Sequence, residues 1–121
     1  MRFITIWRPA NAAGESTEPP TDAEISAMGA LIQEMATAGI LVATDGLLPS
    51  SFGLKVRRTN GEYKVIDGPF TESKELIAGY AIVDVASKEE ALKWTYKFLD
   101  VAGDGESEIR QMHDQAAFAP A

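Results

Sequence analysis

A chain of 121 residues, 45% of them hydrophobic and none of them cysteine, fits a single domain over 1–121 and excludes disulfides, thiolate metal sites and cysteine nucleophiles. The formal net charge of −7 argues against nucleic acid as a partner, because nothing would neutralise a phosphate backbone. No apolar run approaches the roughly 20 residues of a membrane span, and a cysteine-free chain suits a reducing cytoplasm.

Phe3, Ile4, Ile6 and Trp7 are strand formers, so residues 2–8 read as a buried β-strand. Residues 9–20, with Pro9, Gly14, Pro19 and Pro20, read as a loop. Thr21-Asp22-Ala23-Glu24 is a capping box, and Ile25, Met28, Leu31, Ile32 and Met35 follow at helical spacing, predicting a helix over about 22–38. Gly39 ends it. Ile40–Ala43 reads as a short buried strand, and Gly46–Gly53 as a loop.

Asn60-Gly61, flanked by Leu54–Thr59 and Glu62–Ile66, predicts a two-residue type I′ hairpin, since both turn positions favour positive φ. Pairing outward from the turn sets Arg58 opposite Tyr63 and Val56 opposite Val65. Arg57 falls opposite Lys64 on the other face, a like-charge pair that is unfavourable unless an anion lies nearby. The hairpin runs into Asp67-Gly68-Pro69-Phe70, a polar stretch Thr71–Leu76 and a strand at Gly79–Val85. A second capping box, Ser87-Lys88-Glu89-Glu90, opens a helix whose apolar side carries Ala91, Trp94, Thr95 and Phe98. A last strand covers about Glu106–Met112.

The order β-α-β, inserted hairpin, β-α-β predicts an α+β fold: a ferredoxin-like βαββαβ sandwich with both helices on one face of a four-stranded antiparallel sheet. The other sheet face then needs cover for its apolar residues, with Phe3, Trp7, Ile82 or their neighbours as candidates. A homodimer supplies it.

Asp67-Gly68-Pro69-Phe70-Thr71-Glu72-Ser73-Lys74-Glu75 and Ile77-Ala78-Gly79-Tyr80 resemble the signature of the YCII-related (DGPF-domain) family. Gly46-Leu47-Leu48-Pro49-Ser50-Ser51, Ser87–Ala91 and Glu108-Ile109-Arg110-Gln111 fit the same pattern, so the resemblance covers nearly the whole chain. It implies a ferredoxin-like fold of the dimeric α/β-barrel type, with sheets packed face to face. Related YCII proteins also imply a His–Asp pair, with the histidine on or near the first helix. The one histidine here, His113, lies near the other end of the chain. Asp67 is the position that the motif carries over.

Asp67 has two readings. Asp before Gly-Pro suits an Asx-type turn, and a carboxylate held rigidly at a strand end suits a general base or ligand anchor. Glu72 reads as solvated surface or as the second member of a carboxylate pair with Asp67. Arg8, at the end of the first strand, is a solvent-facing residue or a cation for Asp67 or for an anionic substrate group. Ser50 and Ser51 offer hydroxyls in the neighbouring loop, with no base placed to activate them, and Arg57 beside Lys64 can attract an anion. One histidine and no cysteine give no metal set, and no glycine-rich fingerprint indicates a nucleotide, so no cofactor is expected.

Two functions fit these residues. One is a small cofactor-independent enzyme doing acid–base chemistry on a small organic substrate, with Asp67 as base and Arg8, Ser50 or Ser51 positioning the substrate. The other is a non-catalytic dimeric ligand-binding or regulatory module that uses the same cleft.

Overall fold

The computed structural model describes residues 1–10, 20–70, 72 and 76–114. Most of the loop expected over 9–20, much of the stretch 71–76 and the tail from 115 lie outside the described residues. Among the described residues, six strands and two helices follow one another as β1 (Arg2–Pro9), α1 (Asp22–Thr37), β2 (Leu41–Gly46), β3 (Leu54–Thr59), β4 (Glu62–Asp67), β5 (Gly79–Asp84), α2 (Lys88–Ala102) and β6 (Gly105–Gln111). A 3₁₀ turn at Ser50–Phe52 leads into β3.

The main sheet has the order β2-β5-β1-β6, and every neighbouring pair is antiparallel. β3 and β4 form a separate two-stranded sheet, so the chain is a ferredoxin-like α+β sandwich with an inserted hairpin. The hairpin has the register its turn dictates: Val56 opposite Val65, Arg57 opposite Lys64, Arg58 opposite Tyr63. Asn60 and Gly61 take φ of 53° and 82°, the positive pair of a type I′ turn.

Side chains alternate across β1 with period two. Phe3, 1% exposed, packs with Leu31, Met35, Val83, Val85 and Ala91 between sheet and helices. Trp7 meets Phe98 of α2 edge-on, with ring centroids 5.5 Å apart. Phe3 and Trp7 therefore lie on the covered face, not on the open one that the sequence suggests for them. Ile82 does lie on the open face, beside Ile4 in the register. Ile4 and Ile6 are the apolar residues of β1 that share it.

Both helices start at side-chain caps. Thr21 Oγ1 accepts from the Glu24 N–H at 3.2 Å, and Ser87 Oγ accepts from the Glu90 N–H at 3.2 Å. The Glu90 carboxylate reaches back to the Ala86 N–H at 3.0 Å, one residue before the position of a standard box. Leu31 and Met35 carry the buried stripe of α1, whereas Ile25 is 56% exposed. β2 runs beyond the expected Ala43, because Thr44, Asp45 and Gly46 continue the pairing with β5 past a bulge at Val42.

Candidate functional site

The inserted hairpin is fastened to the body at its base by contacts that need specific residues. The Gly68 N–H donates to the Gly53 carbonyl at 2.9 Å, and the Phe70 N–H donates to Ser50 Oγ at 3.0 Å. A Cβ on Gly68 would stand 1.7 Å from the Ser50 carbonyl oxygen, so only glycine allows this approach. The Gly68–Pro69 peptide is cis. Lys55 lies over the Phe70 ring, 4.4 Å from its centroid. The motif is thus a backbone clamp that closes both ends of the hairpin.

The clamp sorts the residues proposed from sequence. Ser50 is buried, with its hydroxyl engaged by Phe70, so it braces the loop. Ser51 and Glu72 are exposed. Asp67 stands opposite Leu54 at the foot of the hairpin, exposed, and its carboxylate makes no hydrogen bond or ion pair among the described residues. It is therefore not tied into an Asx turn, and it does not pair with Arg8. Arg57 lies on the hairpin face opposite to that of Asp67.

Arg8 belongs to a different cluster, on the open face of the main sheet. Its Nη1 donates to Glu108 Oε1 at 3.1 Å, and Arg110 Nε lies 3.7 Å from Glu108 Oε2. The register places Asp45 of β2, Tyr80 of β5, Ile6 of β1 and Glu108 of β6 in one row across the sheet. At one end of this row the Tyr80 hydroxyl donates to Asp45 Oδ2 at 3.0 Å. That hydrogen bond, then the negative charge of Asp45, raises the Tyr80 pKa above the ordinary phenol value of 10.0. An apolar stripe of Ile4, Ile6 and Ile82 thus lies between a phenol–carboxylate pair and a carboxylate held by two guanidiniums. An apolar floor with few polar groups at its margins has the lining chemistry of a small-molecule site, and it needs a second surface over it to become the concave one that such sites require.

The structure brings Arg8 to this row and leaves Asp67, Ser50, Ser51, Arg57 and Glu72 on the insert. Sequence reasoning missed Asp45 and Tyr80. Asp45-Gly46 has loop composition, and the bulge at Val42 hides the strand phase that places Asp45 beside Tyr80. A separate hollow of about 430 Å³ opens on the helix side among Trp7, Met28, Ile32 and Phe98, and it borders Asp45, Gly46, Gly79 and Tyr80 from the other side. Among the described residues no three metal-ligating side chains gather.

The model of the YCII-related domain matches residues 1–112. The chain belongs to the YCII-related family. This YCII-related protein is 37% identical over 65 residues to an uncharacterised protein of Rhizobium meliloti (strain 1021), an alignment covering 54% of this chain and 52% of that one. The match thus spans about half the length of that curated relative. Its fold is also similar to that of 5-chloro-2-hydroxyhydroquinone dehydrochlorinase from Burkholderia phenoliruptrix AC1100, solved in complex with 2,5-dihydroxybenzoquinone. That likeness has a TM-score of 0.52 at 10% identity, over 97% of this chain and 98% of the other. The ferredoxin-like fold is therefore matched along almost the whole length of the chain. Among the described residues no helix is long and apolar enough to cross a membrane.

Proposed function

We propose that this YCII-related protein is a small cofactor-independent enzyme, working as a homodimer, that performs acid–base chemistry on a small organic substrate laid on the open face of its sheet. The observation that carries the proposal is the Tyr80–Asp45 hydrogen bond beside the isoleucine stripe. A phenol whose pKa is raised stays protonated at neutral pH and orients the carboxylate that it bonds. Oδ1 of Asp45 is then left to take a proton from an acidic C–H or O–H of the substrate. Arg8, turned toward the same face, offers positive charge to an anionic group or to an oxyanion that forms as the proton leaves.

Asp67 stands as the second carboxylate in this proposal, exposed and unengaged where the insert leaves the body. The stripe of Ile4, Ile6 and Ile82 supports the homodimer, since an apolar sheet face calls for cover and a second copy provides a matching one. The name of the structurally similar dehydrochlorinase supports placing hydroxylated six-membered rings among the first compounds to try.

The test is a thermal-shift and turnover screen of hydroxylated aromatics and small carboxylic acids on wild type, Asp45→Asn, Tyr80→Phe and Asp67→Asn. A ligand that stabilises wild type should bind Asp45→Asn and Tyr80→Phe about tenfold or more weakly, a loss of roughly 1.4 kcal/mol. Equal binding by all four proteins removes the open face as the site. A loss confined to Asp67→Asn moves the site to the insert. Binding with no turnover by any compound favours the non-catalytic ligand-binding module.

A further inference from the structure

The hollow on the helix side of the sheet measures about 430 Å³, within the roughly 300–1,000 Å³ of ligand pockets. Its walls are Trp7 of β1, Met28 and Ile32 of α1 and Phe98 of α2. The Trp7 ring is held from two sides, by Phe98 edge-on and by the backbone of Gly105, where a Cβ would stand 2.4 Å from the ring. It is a rigid aromatic surface, while Met28 is a flexible and polarisable one. All four side chains are half-buried, so this wall keeps an opening to solvent.

The floor of the hollow is made by side chains that the sheet lacks. Gly46 of β2 and Gly79 of β5 are register partners, and Gly79 stands opposite Trp7, so two bare positions lie beside the indole on the covered face. The two glycines differ in cause. At Gly79 a Cβ would crowd the Asp45 carbonyl oxygen at 3.1 Å, so the neighbouring strand needs glycine there. At Gly46 the nearest atom to a Cβ would be the Ala78 carbonyl oxygen at 4.0 Å, and its φ lies outside the left-handed region. Neither backbone conformation nor packing therefore requires glycine at 46. A glycine in a paired strand forgoes strand propensity, and where no other backbone comes close it leaves room for a ligand to do so.

Charge and hydrogen bonding narrow the ligand. Among the described residues that line the hollow, Asp45 is the one charged group, and its carboxylate is turned to the open face in the bond with Tyr80. No cation stands there to meet an anion, and an unpaired charge set against Trp7 and Phe98 would be costly. Thr44, by its register with Ala81, is directed to the covered face and lines the hollow. Its hydroxyl donates to the Tyr80 carbonyl at 2.9 Å, so it has only lone pairs left to offer. We propose that the hollow is a second binding site, separate from the open face, for a neutral aromatic molecule that donates one hydrogen bond to Thr44. The indole wall and the bare position at 46 select the ring. Thr44 selects the donor, and the lack of a cation rejects carboxylates.

Benzyl alcohol, its isomer anisole and benzoate separate these demands, because anisole keeps the ring without the donor and benzoate adds a charge. Binding to the full chain is measured by titration calorimetry, with tryptophan fluorescence as a second readout, since Trp7 lies in the wall. Benzyl alcohol should bind saturably, and anisole and benzoate about tenfold or more weakly. Thr44→Val should bring benzyl alcohol down to the level of anisole. Gly46→Val and Ala102→Leu, which fill the hollow from the sheet and from α2, should each abolish binding. Gly46→Val should do so with an unfolding midpoint equal to or above that of wild type, because it adds a strand former where there is room. No saturable binding of benzyl alcohol by wild type, or binding kept by both filled variants, overturns the site. Anisole or benzoate bound as well as benzyl alcohol overturns the ligand class. Should Gly46→Val fold poorly, Ala102→Leu decides alone.

Discussion

Tyr80 and Asp45 are register partners on adjacent strands, and the phenol donates to the carboxylate at 3.0 Å. The bond fixes which group holds the proton, and this gives a direct spectroscopic expectation. Ultraviolet difference titration of wild type against Tyr80→Phe should place the Tyr80 ionisation above that of an ordinary phenol at 10.0, and Asp45→Asn should bring it back down. The linkage sign follows from the raised value. The pair's stabilisation is present in full below the ordinary phenol value and is lost as pH rises through the raised one. A Tyr80 that titrates at the ordinary phenol value would mean that the bond does not persist in solution.

Arg8 separates stability from binding. Its pairing with Glu108 is partly solvated, the two side chains being 19% and 39% exposed, and Glu108 keeps Arg110 as a second neighbour. Arg8→Met should therefore cost at most about 1 kcal/mol in urea denaturation. The same variant should weaken any anionic ligand found by the screen to a much greater degree. A loss of several kcal/mol in stability, with ligand affinity unchanged, would make Arg8 a structural residue.

Gly68 and Gly29 should respond in opposite directions to the same substitution. Gly68→Ala drives a methyl into the Ser50 carbonyl, so the clamp must open, at a cost on the order of 2–4 kcal/mol. Gly29 lies within α1, where an added methyl would meet nothing within 4 Å, and Gly29→Ala should gain about 0.5–1 kcal/mol. Paired chemical denaturation curves measure both.

The core gives a third contrast. Phe3→Ala removes a side chain that is 1% exposed and should cost about 3–5 kcal/mol. Ile25→Ala, on a residue that the helical spacing alone would place in the core, should change stability by less than about 0.5 kcal/mol. A large loss at Ile25 would show that α1 is covered in solution by another surface.

Much of the fold was legible because local rules sufficed for it. Asn60-Gly61 set the hairpin register by turn geometry, and Thr21 and Ser87 marked the helix starts by the chemistry of unsatisfied N–H groups. The phase of β1 was not legible, since both of its faces are apolar, the aromatics Phe3 and Trp7 on one and Ile4 and Ile6 on the other, and only packing against Val83 and Ala91 decides that Phe3 points inward. The candidate site was legible in part. Arg8 stood out by its place at a strand end, but its partner Glu108 lies 100 residues away in sequence. Asp45 and Tyr80 become neighbours only through a non-consecutive strand pairing, which no local pattern records. The motif containing Asp67 was conspicuous for a reason that the clamp explains: glycine and proline there serve the backbone, and they draw the eye to a carboxylate beside them.

The clamp between Gly53 and Gly68 has a bearing on how such chains diversify. A backbone hydrogen bond of 2.9 Å joins the two residues, so the chain enters and leaves the insert at almost the same point. A short link from 53 to 68 would restore continuity without moving any strand of the main sheet. The insert is in this sense a detachable cassette, and its length, charge and apolar content can be rewritten while the platform below stays constant. Recognition can then drift quickly within a family whose scaffold changes slowly.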